Sequence, residues 1–415
     1  MGPGHPWVPP LLVKAAEQLR ALPELTAGVR LARGNRFRKA LPHLMRALEI
    51  TKDMHTPLPL ATLTTGAAAL AARNLGKFNT EDSLWEKLTK SRTQHGVTHN
   101  DTLQPIILEA RMLNALNRGD RQLAKNISSL AHAFETTSDE LTSRFCIHDA
   151  HAELFVGHLS LATGNRLSSL VAKAPANSAM GDAANLMLSD HAYRRECQSD
   201  VSSSSPWVSL SKSFQADLPK VDMPDENSTY RKLAIGSRLA AYHSRLGEQR
   251  KESLALLERC LSIAEGKLGK SHPLVHSVVA DMGITFAQLG EGVMAEGLFN
   301  SAIDGLRSNY KLLAAENEDL PKSTPAACGQ ALVTALESAA SVVGQMSWNG
   351  TLRTADANKM RAEADAIRRA MPELFRGLGY DHSDCAGRKE WSGLEFWYLT
   401  NFEFAFLEIL RNEDS

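Results

Sequence analysis

Cys146, His148, His151 and Glu153 crowd one short segment that reads as a helix. His148 and His151 stand three apart, close enough on a helix to face one ligand. A structural zinc site normally needs a second ligand pair at recognisable spacing. His382 and Cys385 form an H-x-x-C pair far along the chain, and nothing in the sequence brings the two pairs together. All are read as ordinary helix or loop residues, and no metal is expected. Gly266-Lys267-Leu268-Gly269-Lys270-Ser271 has the outline of a phosphate-binding loop. That motif needs a glycine at position 264 and a buried strand before it. The chain has Ala264, and Leu254–Ile263 reads as a helix. No Ser/His/Asp nucleophile motif, no H-E-x-x-H and no dinucleotide fingerprint is present. The carboxylates are scattered and are expected on solvated helix faces. The chain offers no catalytic residue, so neither enzymatic activity nor a cofactor is expected.

The elements that would position such groups are marked by six short turns centred on Gly34, Gly76, Gly119, Gly164, Gly247 and Gly290. The glycines step by 42 (76−34), 43 (119−76), 45 (164−119), 83 (247−164) and 43 (290−247). The 83 is close to twice the others, so one unit lacks its glycine. A fixed period of this size signals a stack of one repeated supersecondary unit. Seven residues before each glycine stand Ala27, Ala69, Met112, Gly157, Ala240 and Gly283, small in every case but one. Small residues also recur after the glycine in pairs seven apart: Ala40 and Ala47, Ala124 and Ala131, Ser253 and Cys260, Ala295 and Ala302. Two helical turns separate the members of each pair, so they share one face. The unit is helix A, glycine turn, helix B, with small residues where the helices cross.

These features resemble the tetratricopeptide repeat family, of the kinesin-light-chain kind. The resemblance rests on the small helix-A residues Gly157, Ala240 and Gly283, the turn glycines and the paired small residues of helix B. Gly269-Lys270-Ser271-His272-Pro273 matches that family's G-x-x-H-P linker, and His95-Gly96-Val97-Thr98-His99-Asn100 is a looser copy. The match is best over 228–305 and extends more loosely over 25–135. Met112 departs from the pattern, and Pro42 inside a helix B is expected to kink or shorten it. The resemblance implies an all-α, right-handed α-solenoid whose concave groove takes a partner's peptide or helix.

Composition agrees with helices. Hydrophobic residues make up 43% and aromatics 6% of the 415 residues, and no stretch alternates with the period of a sheet. A formal net charge of −1 gives no basic stripe for nucleic acid. No apolar run is long enough to span a membrane. Five widely spaced cysteines read as reduced, buried thiols of an intracellular, cytoplasmic protein. Seven basic against two acidic residues over 1–40 raise a mitochondrial transit peptide as the alternative.

The expected organisation is a tail and leading helix over 1–24 (residues 1–10 disordered, 11–21 helical), repeats over 25–174, a degenerate repeat or hinge with a serine-rich loop over 175–227, regular repeats over 228–316, and an elaborated last pair with an aromatic helix over 317–415. In that last segment Ala326–Met346 and Ala355–Met371 are expected to pair across Ser347-Trp348-Asn349-Gly350. Leu394–Arg411 reads as a cap on the open end or as a docking helix.

By analogy with the family, residues nine and two before the turn glycine face the groove. These are Arg238 with Arg245, Asp281 with Gln288, and, at the minus-two position, Asn74 and Asn117. Leu25, Ala67, Ala110 and Phe155 make the minus-nine wall of the earlier units apolar. The expected function is a protein-interaction scaffold or adaptor, alone or as a subunit or assembly factor of a larger complex. The alternative is a helical-repeat small-ligand sensor or enzyme.

Overall fold

The computed structural model describes residues 22–33, 36–53, 58–94, 104–117, 120–133, 160–173, 250–315, 325–348 and 351–372, with scattered positions in 146–153, 181–189 and 233–243. The expected leading segment, the serine-rich loop and the aromatic segment 394–411 lie outside the described residues. So do Gly34, Gly119, Gly157, Arg238, Arg245 and Gly247. The elements are α1 (Pro23–Arg33), α2 (Phe37–Asp53), α3 (Leu58–Asn74), α4 (Phe78–Gln94), α5 (Gln104–Asn117), α6 (Arg121–Ala133), α7 (Leu161–Lys173), α8 (Arg250–Leu268), α9 (Pro273–Gln288), α10 (Gly292–Ala315), α11 (Pro325–Val343), β1 (Ser347–Trp348), β2 (Thr351–Leu352) and α12 (Thr354–Ala370). The described chain is helical apart from the β1–β2 pair. No described helix is long and apolar enough to cross a membrane.

The chain divides into two compact units, one holding residues up to Val156 and the other running from Gly157 to Pro372. Within each, helices pack in consecutive pairs, as in a helical repeat. In the first, α1 packs on α2, α2 on α3, α3 on α4 and α5 on α6, and α1 also touches α3. In the second, α8 to α12 pack in sequence and α9 also touches α11. Helices two apart therefore meet, so like helices of successive pairs stack on each other. The division places α7 with the second unit.

The turns are built alike. Gly76 and Gly290 have φ of 71° and 80°, in the left-handed region that disfavours any Cβ. The amide of Gly76 donates to the Arg73 carbonyl at 2.8 Å, and that of Lys77 to Ala72 at 2.9 Å. Gly290 and Glu291 repeat both bonds to Ala287 and Phe286 at 3.0 Å. This is the Schellman closure, which satisfies carbonyls left over at a helix end. Arg36 and Asp120 make the same long bond back to Leu31 and Ala115, each at 2.9 Å.

The first unit runs one residue late. Its donor Arg36 lies two past Gly34, whereas Lys77, Asp120 and Glu291 lie one past their glycines. The close-packed small residue is accordingly Gly28 rather than Ala27: a Cβ there would lie 2.7 Å from the Leu44 side chain. Gly283 does the same job on α9, with the Phe299 ring 3.0 Å from where its Cβ would be. Met112, which departs from the small-residue pattern, is fully buried in a cluster with Leu108, Ala115, Ala124 and Ile127. On the second helices Ala40, Ala47, Ala124, Ser253, Cys260, Ala295 and Ala302 are all 0% exposed, as the spacing requires.

Two local expectations are corrected. Gly164 is not a turn glycine: Thr163-Gly164-Asn165 lies inside α7. Ser160 starts that helix earlier, its Oγ accepting from the Thr163 amide at 3.2 Å, and such a cap outweighs one glycine. Pro42 does not shorten its helix, since α2 runs 17 residues through it. A proline inside a helix lacks its own donor and crowds the carbonyl four residues back, but the buried stripe Phe37, Ala40, Leu41, Leu44, Ala47 and Leu48 holds the helix in place.

The 269–273 linker is tied to the helices that follow it. His272 caps α9, its Nδ1 accepting from the Leu274 amide at 3.2 Å, and Pro273 opens the helix. Asn309 of α10 donates to the Ser271 carbonyl at 2.9 Å. One turn on, the His276 ring fills the space over Gly305, whose Cβ would lie 2.2 Å from it. Burial holds the His276 imidazole below its ordinary range. Between that lowered value and about 6.5, the unfolded chain binds more protons than the fold. Stability should therefore rise with pH through this window and fall as pH drops below about 6.5. Thermal unfolding of H276Q across pH 5–7 should give a flatter profile than the parent.

The last pair matches the expected boundaries within three residues, but its joint is a hairpin. Ser347 pairs with Leu352 and Trp348 with Thr351, antiparallel. Asn349-Gly350 between them is the sequence that two-residue hairpin turns favour.

Candidate functional site

Asn74, Asn117 and Gln288 are the last residues of α3, α5 and α9. The position two before the glycine is therefore one structural position in three units. The Asn117 side chain lies outside the described residues, and Gln288 is half-buried. Asn74 is only 3% exposed and Asp281 8%, so both are enclosed. The reason is the packing of their helices. Residues 62–74 of α3 are buried without a break, and α9 is wedged among α8, α10 and α11. Asp281 accepts from Ser237 Oγ at 2.8 Å. The apolar wall is likewise closed to solvent: Leu25, Ala67 and Ala110 belong to one core cluster, and Phe155 lies outside the described residues.

The densest polar arrangement among the described residues was not anticipated. Glu81 is completely buried on the first turn of α4, and Arg73, in the last turn of α3, grips it with two nitrogens. Arg73 Nε donates to Glu81 Oε2 at 2.9 Å, and Nη2 donates to Oε1 and to the Ala110 carbonyl, the latter at 2.9 Å. Asn114 Nδ2 of α5 donates to Glu81 Oε2 at 2.6 Å and to the Phe78 carbonyl at 3.0 Å. Trp85 Nε1 reaches Glu81 Oε1 at 3.3 Å. Three helices thus close on one carboxylate. This corrects the expectation that the carboxylates lie on solvated faces, as do Glu109 at 4% and Asp149 at 6% exposure. A signal existed: Glu81 stands five past Gly76, the register that Ala124 and Ala295 hold past Gly119 and Gly290. A glutamate where other units bury alanine must find a cation, and Arg73 is the one the turn delivers.

The arrangement suits structure better than chemistry. A guanidinium held at fixed distance by a carboxylate and a carbonyl has neither proton nor charge to offer a substrate. The Cys260 thiol is pushed up to about 12, by burial and then by the Asp281 charge, which leaves it without thiolate at neutral pH. Cys146 and Cys328 are also buried thiols in no disulfide, and burial pushes the Cys328 thiol up as well. His148, His151, His382 and Cys385 lie outside the described residues. Among the described residues no three His, Cys, Asp or Glu side chains converge as a metal site would require. Gly269 follows the helix α8 directly, which removes the strand a phosphate loop needs.

The chain matches no protein-family model and no curated protein. Its functional reading therefore rests on the architecture and on the groups it leaves accessible.

Proposed function

We propose that this chain is a tetratricopeptide-type, right-handed α-solenoid that serves as a protein-interaction scaffold, holding a partner's peptide or helix in its concave groove. The observation that carries this reading is the recurrence of one closure. Four turns share the same long backbone bond, and first helices of successive pairs stack, α1 on α3 and α9 on α11. Such stacking lines up equivalent positions into an extended surface, the feature by which solenoids bind. A cytoplasmic setting belongs to the same proposal.

Arg238 and Arg245 carry the groove assignment, as bidentate clamps for a carboxylate. Affinity purification of the full chain with mass spectrometry should identify a partner. The double variant Arg238→Ala/Arg245→Ala should then bind it about tenfold or more weakly, the scale of a lost charge-assisted pair. Unchanged affinity would reject the groove assignment. A large thermal stabilisation by one metabolite, with no protein captured, would reject the scaffold.

A further inference from the structure

We propose that α12 is an ion-clamped strap, held on α10 and α11 by a small apolar patch and three charge pairs and able to lift while the helices beneath stay folded. This goes beyond the scaffold reading and does not depend on what the groove holds.

The first observation is how little α12 buries. Its buried residues are Ala357, Ala364 and Ile367, with Met371 just past its end. The equivalent second helix α10 buries Phe299, Ala302, Ile303, Leu306 and Leu313. Alanine removes far less apolar surface from water than phenylalanine or leucine, so α12 has much the weaker apolar hold. It approaches α11 closely through small groups. A Cβ on Gly344 would meet that of Ala357 at 3.3 Å, and one on Gly329 would meet Met371 Cε at 2.2 Å.

The second observation is a charge pattern repeated three times. Arg307 of α10 donates from Nε and Nη2 to Glu363 of α12 at 2.8 and 2.9 Å, and from Nη1 to Asp304 at 2.8 Å. Arg353, just before α12, donates from Nη1 to both oxygens of Glu296 on α10 at 2.7 and 2.8 Å, and from Nε to Asp356 at 2.8 Å. Arg368 of α12 pairs with Glu337 of α11, and its Nη1 donates to Asp365 at 3.0 Å. Each arginine is oriented by an aspartate three residues away and clamps a glutamate on another element. All three clamps tie α12 or its lead-in to α10 or α11. Their side chains are 15–33% exposed, within reach of salt. A helix held this way opens at a lower local energy than α9 and α10. Its lifting uncovers the face of α11 that carries Gly329 and Glu337, with Gly344 just past the helix end.

Hydrogen-exchange mass spectrometry of the full chain, at about 0.05 M and about 1 M sodium chloride, tests this. Peptides of α12 should exchange about tenfold faster at high salt, as expected from losing three modest pairs, while α9 and α10 keep their protection. Arg307→Gln with Arg353→Gln should open α12 equally at low salt, and Arg307→Lys with Arg353→Lys should recover most of the protection. Protected α9 and α10 peptides in the same spectra report that each variant has folded. Exchange of α12 in step with α10 and α11 at both salts, or equal opening by the Gln and Lys variants, would overturn the proposal.

Discussion

Glu81→Ala should lower stability by about 3–5 kcal/mol, the scale of stranding one member of a buried ion pair. The Arg73 side chain is 4% exposed and would keep only the Ala110 carbonyl among its acceptors described above. Its charge cannot move to water without unpacking α3, which is buried on every face. Asn114 and Trp85 would lose an acceptor at the same time. The double variant Arg73→Leu/Glu81→Leu removes the stranded charge and should recover much of the loss, because apolar groups of similar size often replace a buried pair at little cost. Urea unfolding followed by circular dichroism reads both variants. If Glu81→Ala stayed within about 1 kcal/mol of the parent, the range of a surface pair, the carboxylate would have to be solvated.

Phe299→Ala should cost about 3–5 kcal/mol, as for other fully buried aromatics. Phe299 is 1% exposed and lies against Gly283 across the α9–α10 crossing. The reciprocal change, Gly283→Ala, puts a methyl 3.0 Å from that ring and should cost about 1–3 kcal/mol by overpacking. Gly283→Ala with Phe299→Leu should cost less than the sum of its parts, since the smaller side chain makes room for the methyl. Strict additivity in thermal or urea unfolding would mean that the two residues do not share one space.

What could be read from the chain beforehand was whatever repeats or is local. The turn glycines 76 and 290, the small helix-B residues and the 269–273 linker each obey a rule that needs no knowledge of the third dimension. The register of Glu81 marked its burial, but its partner Asn114 lay beyond such rules. The Arg73–Glu81–Asn114 cluster joins residues 33 and 8 positions apart (114−81, 81−73), and only the stacking of α5 on α4 brings the first pair together. Gly164 failed for the opposite reason. A nearer signal, Ser160, set the helix start, and counting glycines could not weigh one cap against another. The enclosure of Asn74 and Asp281 depends on how many neighbours surround a helix, which periodicity along one helix does not report.

The shared turn closure has a consequence for how such a chain can be rearranged. Arg36, Lys77 and Asp120 leave their turns by the same bond, so chain segments exchanged at these points would meet in matching backbone states. Yet an exchange at Lys77 would part Arg73 from Glu81 and bury a charge alone. The α3–α4 pair is thus inherited as a block: its joints are interchangeable, and its electrostatics are not.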